Sequence, residues 1–101
     1  MKQQRAKKAS GVFESLGFSP EEAEHLRVRA ELLAALQETI RKKGFKQAAL
    51  AKALGISQPR VSNLLSGRID LFSADALIEL LARIGIGVRV TLKPLRPGRV
   101  A

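Results

Sequence analysis

The sequence predicts a mainly α fold, a bundle of four to five helices followed by a short C-terminal β-strand. Three observations carry this. Apolar residues recur at helical spacing from about residue 20 to residue 84, each helical stretch runs into a glycine, and after Gly85 the apolar period drops from 3.6 to 2. The length of 101 residues is one domain's worth, and 46% apolar content is enough for a packed core. A chain this short buries only about 60–65% of its unfolded surface, so self-association is a natural supplement to a thin core.

The elements follow in order. Residues 1–11 form a basic arm, expected to be flexible, and the domain occupies residues 12–93. Ser19-Pro20-Glu21-Glu22 has the residues of a helix start: a cap, a proline at the first helical position and a glutamate that completes a capping box. Leu26, Ala30, Leu33, Leu36 and Ile40 continue it at helical spacing to Lys43, before Gly44. A second helix is expected over Gln47 to Leu54, with Leu50, Ala51 and Leu54 inward, and a third over Gln58 to Leu65, capped by Ser57. Ser73 caps a fourth, in which Leu77, Leu80, Leu81 and Ile84 form the apolar stripe. Ile86, Val88, Val90 and Leu92 then alternate with Gly87, Arg89, Thr91 and Lys93 up to Pro94, the pattern of a strand. Its partner is expected to be the Val12-Phe13-Glu14 segment or the same strand of a second copy. Residues 94–101 form a second basic tail, also expected to be flexible. Phe13, Phe18, Phe45 and Phe72 each sit beside a helix boundary and are expected to anchor the core.

Composition excludes several classes of function. The absence of Cys rules out disulfide scaffolds, Cys zinc sites and thiol catalysis. The single His25, expected on an exposed helix flank, leaves no His-rich metal site and no His-paired dyad. Gly85-Ile86-Gly87 lacks the rest of a dinucleotide fingerprint, and no phosphate loop is present. No enzyme, metal or cofactor is therefore expected. The basic start is followed by no apolar signal core, and no stretch approaches ~18 uncharged apolar residues. The expected location is the cytoplasm, on the nucleoid when bound to DNA.

Charge is distributed unevenly along the chain. The formal net charge is +9. Val12 to Ile40 is acidic through Glu14, Glu21, Glu22, Glu24, Glu31 and Glu38, whereas Arg41 to Arg68 holds seven bases and no carboxylate. The basic block is the footprint of a surface that meets phosphates.

Inside that block, two short helices are joined by Gly55-Ile56-Ser57. Glycine supplies the positive φ of a tight turn, small Ala51 permits close crossing, and Ile56, Val61 and Leu64 hold the angle from the core side. This is the construction of a helix-turn-helix, whose second helix projects into the major groove. The sequence resembles the phage-repressor-like (XRE/Cro-type) helix-turn-helix family at Gln47, Ala51, Gly55, Ile56, Val61 and Leu64. The resemblance implies base contacts from Gln58, Pro59, Arg60, Ser62 and Asn63. Phosphate contacts are implied for Lys46, Gln47, Ser57, Ser66 and Arg68. Pro59 and Lys46 depart from the family pattern: a polar residue is usual at the first, and a Ser or Thr cap at the second.

The wider arrangement over residues 12–93 is similar to the HigA-like antitoxin subfamily. That likeness implies a sequence-specific repressor of its own operon, the antitoxin of a type II toxin-antitoxin pair whose partner is a small ribonuclease toxin. The alternative is a stand-alone phage-like or operon regulator with no toxin. A third class, an RNA-binding or structural adaptor, is disfavoured by four Phe with no Tyr or Trp to stack on bases. A homodimer on palindromic double-stranded operator DNA is expected, because one short recognition helix reads only a few base pairs.

Overall fold

The computed structural model describes residues 12–95. The basic arm expected over residues 1–11, and all of the expected tail beyond residue 95, lie outside them. A helical turn, α1, covers residues 12–15. It is followed by α2 (Pro20–Lys43), α3 (Gln47–Leu54), α4 (Gln58–Leu65), a 3₁₀ turn (Ile69–Leu71) and α5 (Ala74–Arg83).

The long helix α2 starts where its sequence requires. Ser19 Oγ accepts the Glu22 N–H at 3.1 Å, and Glu22 Oε1 accepts the Ser19 N–H at 3.0 Å, closing a reciprocal capping box in front of Pro20. Arg41, Lys42 and Lys43 complement the dipole at its other end. Over its 24 residues the axis runs about 36 Å. Against it pack α5, α4 and the 3₁₀ turn, while α3 rests on α4 and α5. The core forms where these helices meet. Leu33, Leu36 and Ile40 of α2 face Leu50, Leu54, Val61 and Leu64 of the two short helices and the stripe of α5. Phe72, 1% exposed, is the bulkiest of the fully buried side chains.

The helix boundaries and inward stripes match the sequence pattern, and three expectations need correcting. The C-terminal β-strand is not present: no strand occurs among the described residues, and Ile86 to Lys93 carries no regular structure. Alternation specifies two faces, but a strand also needs a neighbour to complete its hydrogen bonds. Among the described residues none is offered, since residues 12–15, the expected internal partner, are helical. The third correction concerns the phenylalanines. Phe72 is buried and Phe45 packs against the core, but Phe18 is 41% exposed and Phe13 only half-buried. The 3₁₀ turn was not anticipated; nothing in the apolar period marks a single short turn.

Candidate nucleic-acid interface

The turn between α3 and α4 shows why this sequence makes a helix-turn-helix. Gly55 adopts φ +70° and ends α3, with its own N–H donating to the Lys52 carbonyl at 3.2 Å and the Ile56 N–H to the Ala51 carbonyl at 3.1 Å. That pair of bonds is a Schellman closure, which only a residue tolerant of positive φ completes without strain. Ser57 then caps α4 by accepting the Arg60 N–H at 3.3 Å. Lys46 sits at the cap position of α3 and makes no side-chain cap, as its identity implies.

Three polar side chains from outside the motif hold it in place, and their roles are invisible to helical periodicity. Arg83 of α5 donates to the Leu54 carbonyl at 2.6 Å and pairs with Glu79 at 2.6 Å. A Cβ at position 55 would lie 2.8 Å from its guanidinium, so Gly55 leaves room for this clamp as well as making the turn. Gln37 of α2 donates to the Leu64 carbonyl at 2.9 Å, capping the end of α4. Arg29 of α2 donates to the Ile69 and Phe72 carbonyls at 2.9 and 3.2 Å, tying down the 3₁₀ turn. Each adds a donor to a carbonyl at a helix or turn end, and the Leu64 and Ile69 carbonyls also accept the Gly67 and Phe72 N–H groups. The only sequence signal for them was a polar residue within an otherwise well-capped helix.

The expected base-reading residues divide into two groups. Gln58, Pro59 and Ser62 are exposed on one flank of α4, and no side-chain hydrogen bond engages Gln58 or Ser62 among the described residues. Arg60 and Asn63 are half-buried. The Arg60 guanidinium lies 4.4 Å from the centroid of the Phe72 ring and donates to the Leu71 carbonyl at 3.4 Å. The Asn63 backbone carbonyl receives the Arg68 N–H and the Ser66 hydroxyl, both at 3.1 Å, while no hydrogen bond engages its side-chain amide among the described residues.

The expected phosphate contacts divide in the same way. Lys46 and Gln47 are exposed at the start of α3 with no side-chain partner among the described residues. Ser57 and Ser66 are exposed but occupied with helix ends. Arg68 makes a two-pronged pair with Asp70 at 3.0 and 3.2 Å. That contact pushes the guanidinium further from neutrality and holds the Asp70 carboxyl below the usual aspartate range. Arg41 is likewise paired with Glu38. Of the bases in the carboxylate-free block, Lys43, Lys46 and Lys52 remain exposed without a partner among the described residues.

The acidic end of α2 is partly neutralised too. Arg27 reaches Glu24 at 2.7 Å and Glu31 at 3.3 Å, and its guanidinium holds the Glu24 carboxyl below its usual range.

The comparisons agree with this geometry. A solved structure whose name assigns it to the XRE family of transcriptional regulators is 32% identical in sequence and superposes with a TM-score of 0.68, over 79% of this chain and 89% of that one. No curated protein matches the chain. A family described as a helix-turn-helix domain matches residues 12–93, nearly the whole described structure. The chain belongs to this helix-turn-helix domain family, and with it to the XRE family of transcriptional regulators.

Proposed function

We propose that this DNA-binding regulator is a sequence-specific repressor that reads a palindromic operator as a homodimer, and that it is the antitoxin of a toxin-antitoxin pair. The observation that carries the DNA reading is the exposed, unpartnered flank of α4. Gln58 bonds bidentately to an adenine edge, Pro59 packs on a thymine methyl, and Ser62 reads beside them. Asn63 extends this flank, and Arg60 joins it by leaving the Phe72 ring. Lys46, Gln47, Ser57, Ser66 and Arg68 hold the backbone on either side, and contacts of this kind set register without reading sequence. One such helix spans only a few base pairs, so specificity in a genome requires two copies with half-sites ~34–36 Å apart.

The antitoxin role rests on the HigA-like arrangement of residues 12–93 and on a surface separate from α4. Val12, Leu16 and Phe18 are exposed beside the acidic start of α2. Glu22 lies about 22 Å along the helix from Gln37, which touches α4. A small basic ribonuclease docked there leaves the recognition flank open, so DNA and toxin are held together, as repression conditional on the toxin requires.

A gel shift against the DNA upstream of the chain's own gene tests the first part. Specific retardation is expected, with log affinity falling against log salt by several units, about 0.9 for each phosphate neutralised. A flat salt response removes nucleic acid from the account. Affinity capture of a small basic ribonuclease encoded by the neighbouring gene tests the second. A toxin footprint over Gln58 to Leu65 would overturn the separate docking surface.

A further inference from the structure

The helix α4 is eight residues long and buries only two of its side chains, Val61 and Leu64. Two apolar contacts three residues apart hold a helix to a core but leave it free to tilt, because burial is not directional. A tilt of about 10° about one end moves the other by about 2 Å over the ~12 Å of eight residues. Hydrogen bonds to base edges do not survive such a shift, since their donor–acceptor distances fall between about 2.7 and 3.2 Å. The direction of α4 must therefore come from polar contacts near its ends.

Two such contacts exist, and they differ in how replaceable they are. At the far end, Gln37 of α2 donates to the Leu64 carbonyl at 2.9 Å, but the Gly67 N–H reaches the same carbonyl at 3.2 Å. Near the other end, three residues before the Ser57 cap, the Leu54 carbonyl accepts from Arg83 at 2.6 Å and from no backbone N–H among the described residues. Leu54 is fully buried, so its carbonyl depends on that guanidinium. Arg83 is in turn steadied by Glu79, one turn back on α5, and α5 is seated in the core through Leu77, Leu80 and Leu81.

We propose that Arg83 is a positioning residue for operator recognition: it pins the turn between α3 and α4 to α5, and so fixes the direction in which α4 presents Gln58 and Ser62, without touching DNA. This rests on the operator reading above and names a residue that sets its specificity. Without the guanidinium, a buried carbonyl finds a partner only if the turn moves toward water, and the start of α4 moves with it. Phosphate contacts tolerate that movement, because long lysine side chains re-form them from a shifted backbone. Base contacts do not, since a recognition constellation works only when held to about 0.5 Å. Arg83 therefore acts on the ratio of operator affinity to random-DNA affinity.

Fluorescence anisotropy of the full chain, on the duplex upstream of its own gene and on a random duplex, measures this ratio at several salt concentrations. Arg83→Met keeps the stem and loses the donors. Operator affinity is expected to fall about ten-fold, the scale of one lost base contact, with random-DNA affinity within about two-fold and the salt slope unchanged. Arg83→Gln, two bonds too short for the carbonyl but easily solvated, is the milder variant and is expected to show the same loss. Arg83→Lys, whose ammonium can still donate to the Leu54 carbonyl, is expected to restore most of the ratio. Glu79→Gln leaves the Leu54 contact in place and is expected to stay near the parent chain. Circular dichroism checks that each variant is folded at the temperature of the titration. Equal losses on both duplexes, with a salt slope lower by about 0.9, would make Arg83 a phosphate contact and overturn the proposal. An unchanged ratio in folded Arg83→Met or Arg83→Gln overturns it as well, and both results leave the operator reading standing. A parent chain that does not distinguish the two duplexes overturns both.

Discussion

The two flanks of α4 share one short helix and one stretch of basic sequence, yet their side chains differ in what they are free to do. Gln58 and Ser62 point to solvent with no partner among the described residues. Arg60, on the same helix, lies over the Phe72 ring, and Arg68 just beyond the helix is held by Asp70. Spacing along a helix decides which way a residue faces; competition within the molecule decides whether it is available. The first group needs no rearrangement to meet DNA, whereas each member of the second must give up an existing contact. Replacing residues on the two sides therefore has different consequences, and the differences can be ranked.

The largest effect is expected at Phe72, where the engaged flank joins the core. Phe72→Ala empties the site of the bulkiest fully buried side chain and removes the ring under Arg60. Truncations of this kind cost about 3–5 kcal/mol of folding stability, a large share of what a small domain has. Urea denaturation measures it. A loss below about 1 kcal/mol would show that Phe72 is not the anchor of this side.

On the free flank the expected loss is in recognition. Gln58→Ala removes the proposed base contact from a side chain with no hydrogen-bond partner among the described residues, so folding stability should stay within the small range typical of surface changes. Affinity for the operator should fall by about 1–3 kcal/mol, while binding to random DNA changes little. Fluorescence anisotropy with both DNAs separates the cases. Equal losses on both would remove Gln58 from base reading.

Arg60 sharpens the comparison because it belongs to both sides. Its contact with Phe72 contributes roughly 0.5–1 kcal/mol at a partly exposed site, and that contribution is surrendered when the guanidinium turns to a base. Arg60→Met is therefore expected to weaken operator binding less than Gln58→Ala and to reduce folding stability slightly. A larger binding loss than that of Gln58→Ala would mean that the ring contact does not compete with the DNA.

These distinctions also show how far the sequence could be read. Helix ends were legible because capping is local: Ser19 with Glu22, Ser57, Ser73 and the terminal glycines act within a few residues. The inward stripes were legible because burial follows the helical period. Contacts that cross the chain were not. Arg29, Gln37 and Arg83 grip carbonyls 27 to 43 residues away, and no periodicity reports such a partner. The Asp70 pair with Arg68 lies only two residues away, but a net charge counted over Arg41 to Arg68 stops short of it. The C-terminal alternation marked two faces but could not supply a partner, and the internal candidate, residues 12–15, is helical, so the segment carries no strand.

The smallest expected effect tests that last charge pair. Asp70→Asn removes the carboxylate that occupies Arg68 and leaves the guanidinium free for a phosphate. Operator and random DNA should both bind a few-fold more tightly, and the salt slope should steepen by about one unit, because the contact proposed for Arg68 is to the backbone rather than to a base. The pH dependence fixes the sign independently. Arg68 lowers the folded-state pKa of Asp70, so the pair's contribution is complete above the unfolded aspartate value and is lost as pH falls through the lowered folded value. At neutral pH Asp70 is therefore fully ionised, and the advantage of Asp70→Asn should be constant from pH 8 down to about 5, above the ordinary aspartate range. A carbon-detected NMR titration should find the Asp70 midpoint below that range, moving upward in Arg68→Gln. A midpoint that does not move would show that the pair does not hold Arg68 in solution, and Asp70→Asn would then act only by removing a charge near the DNA.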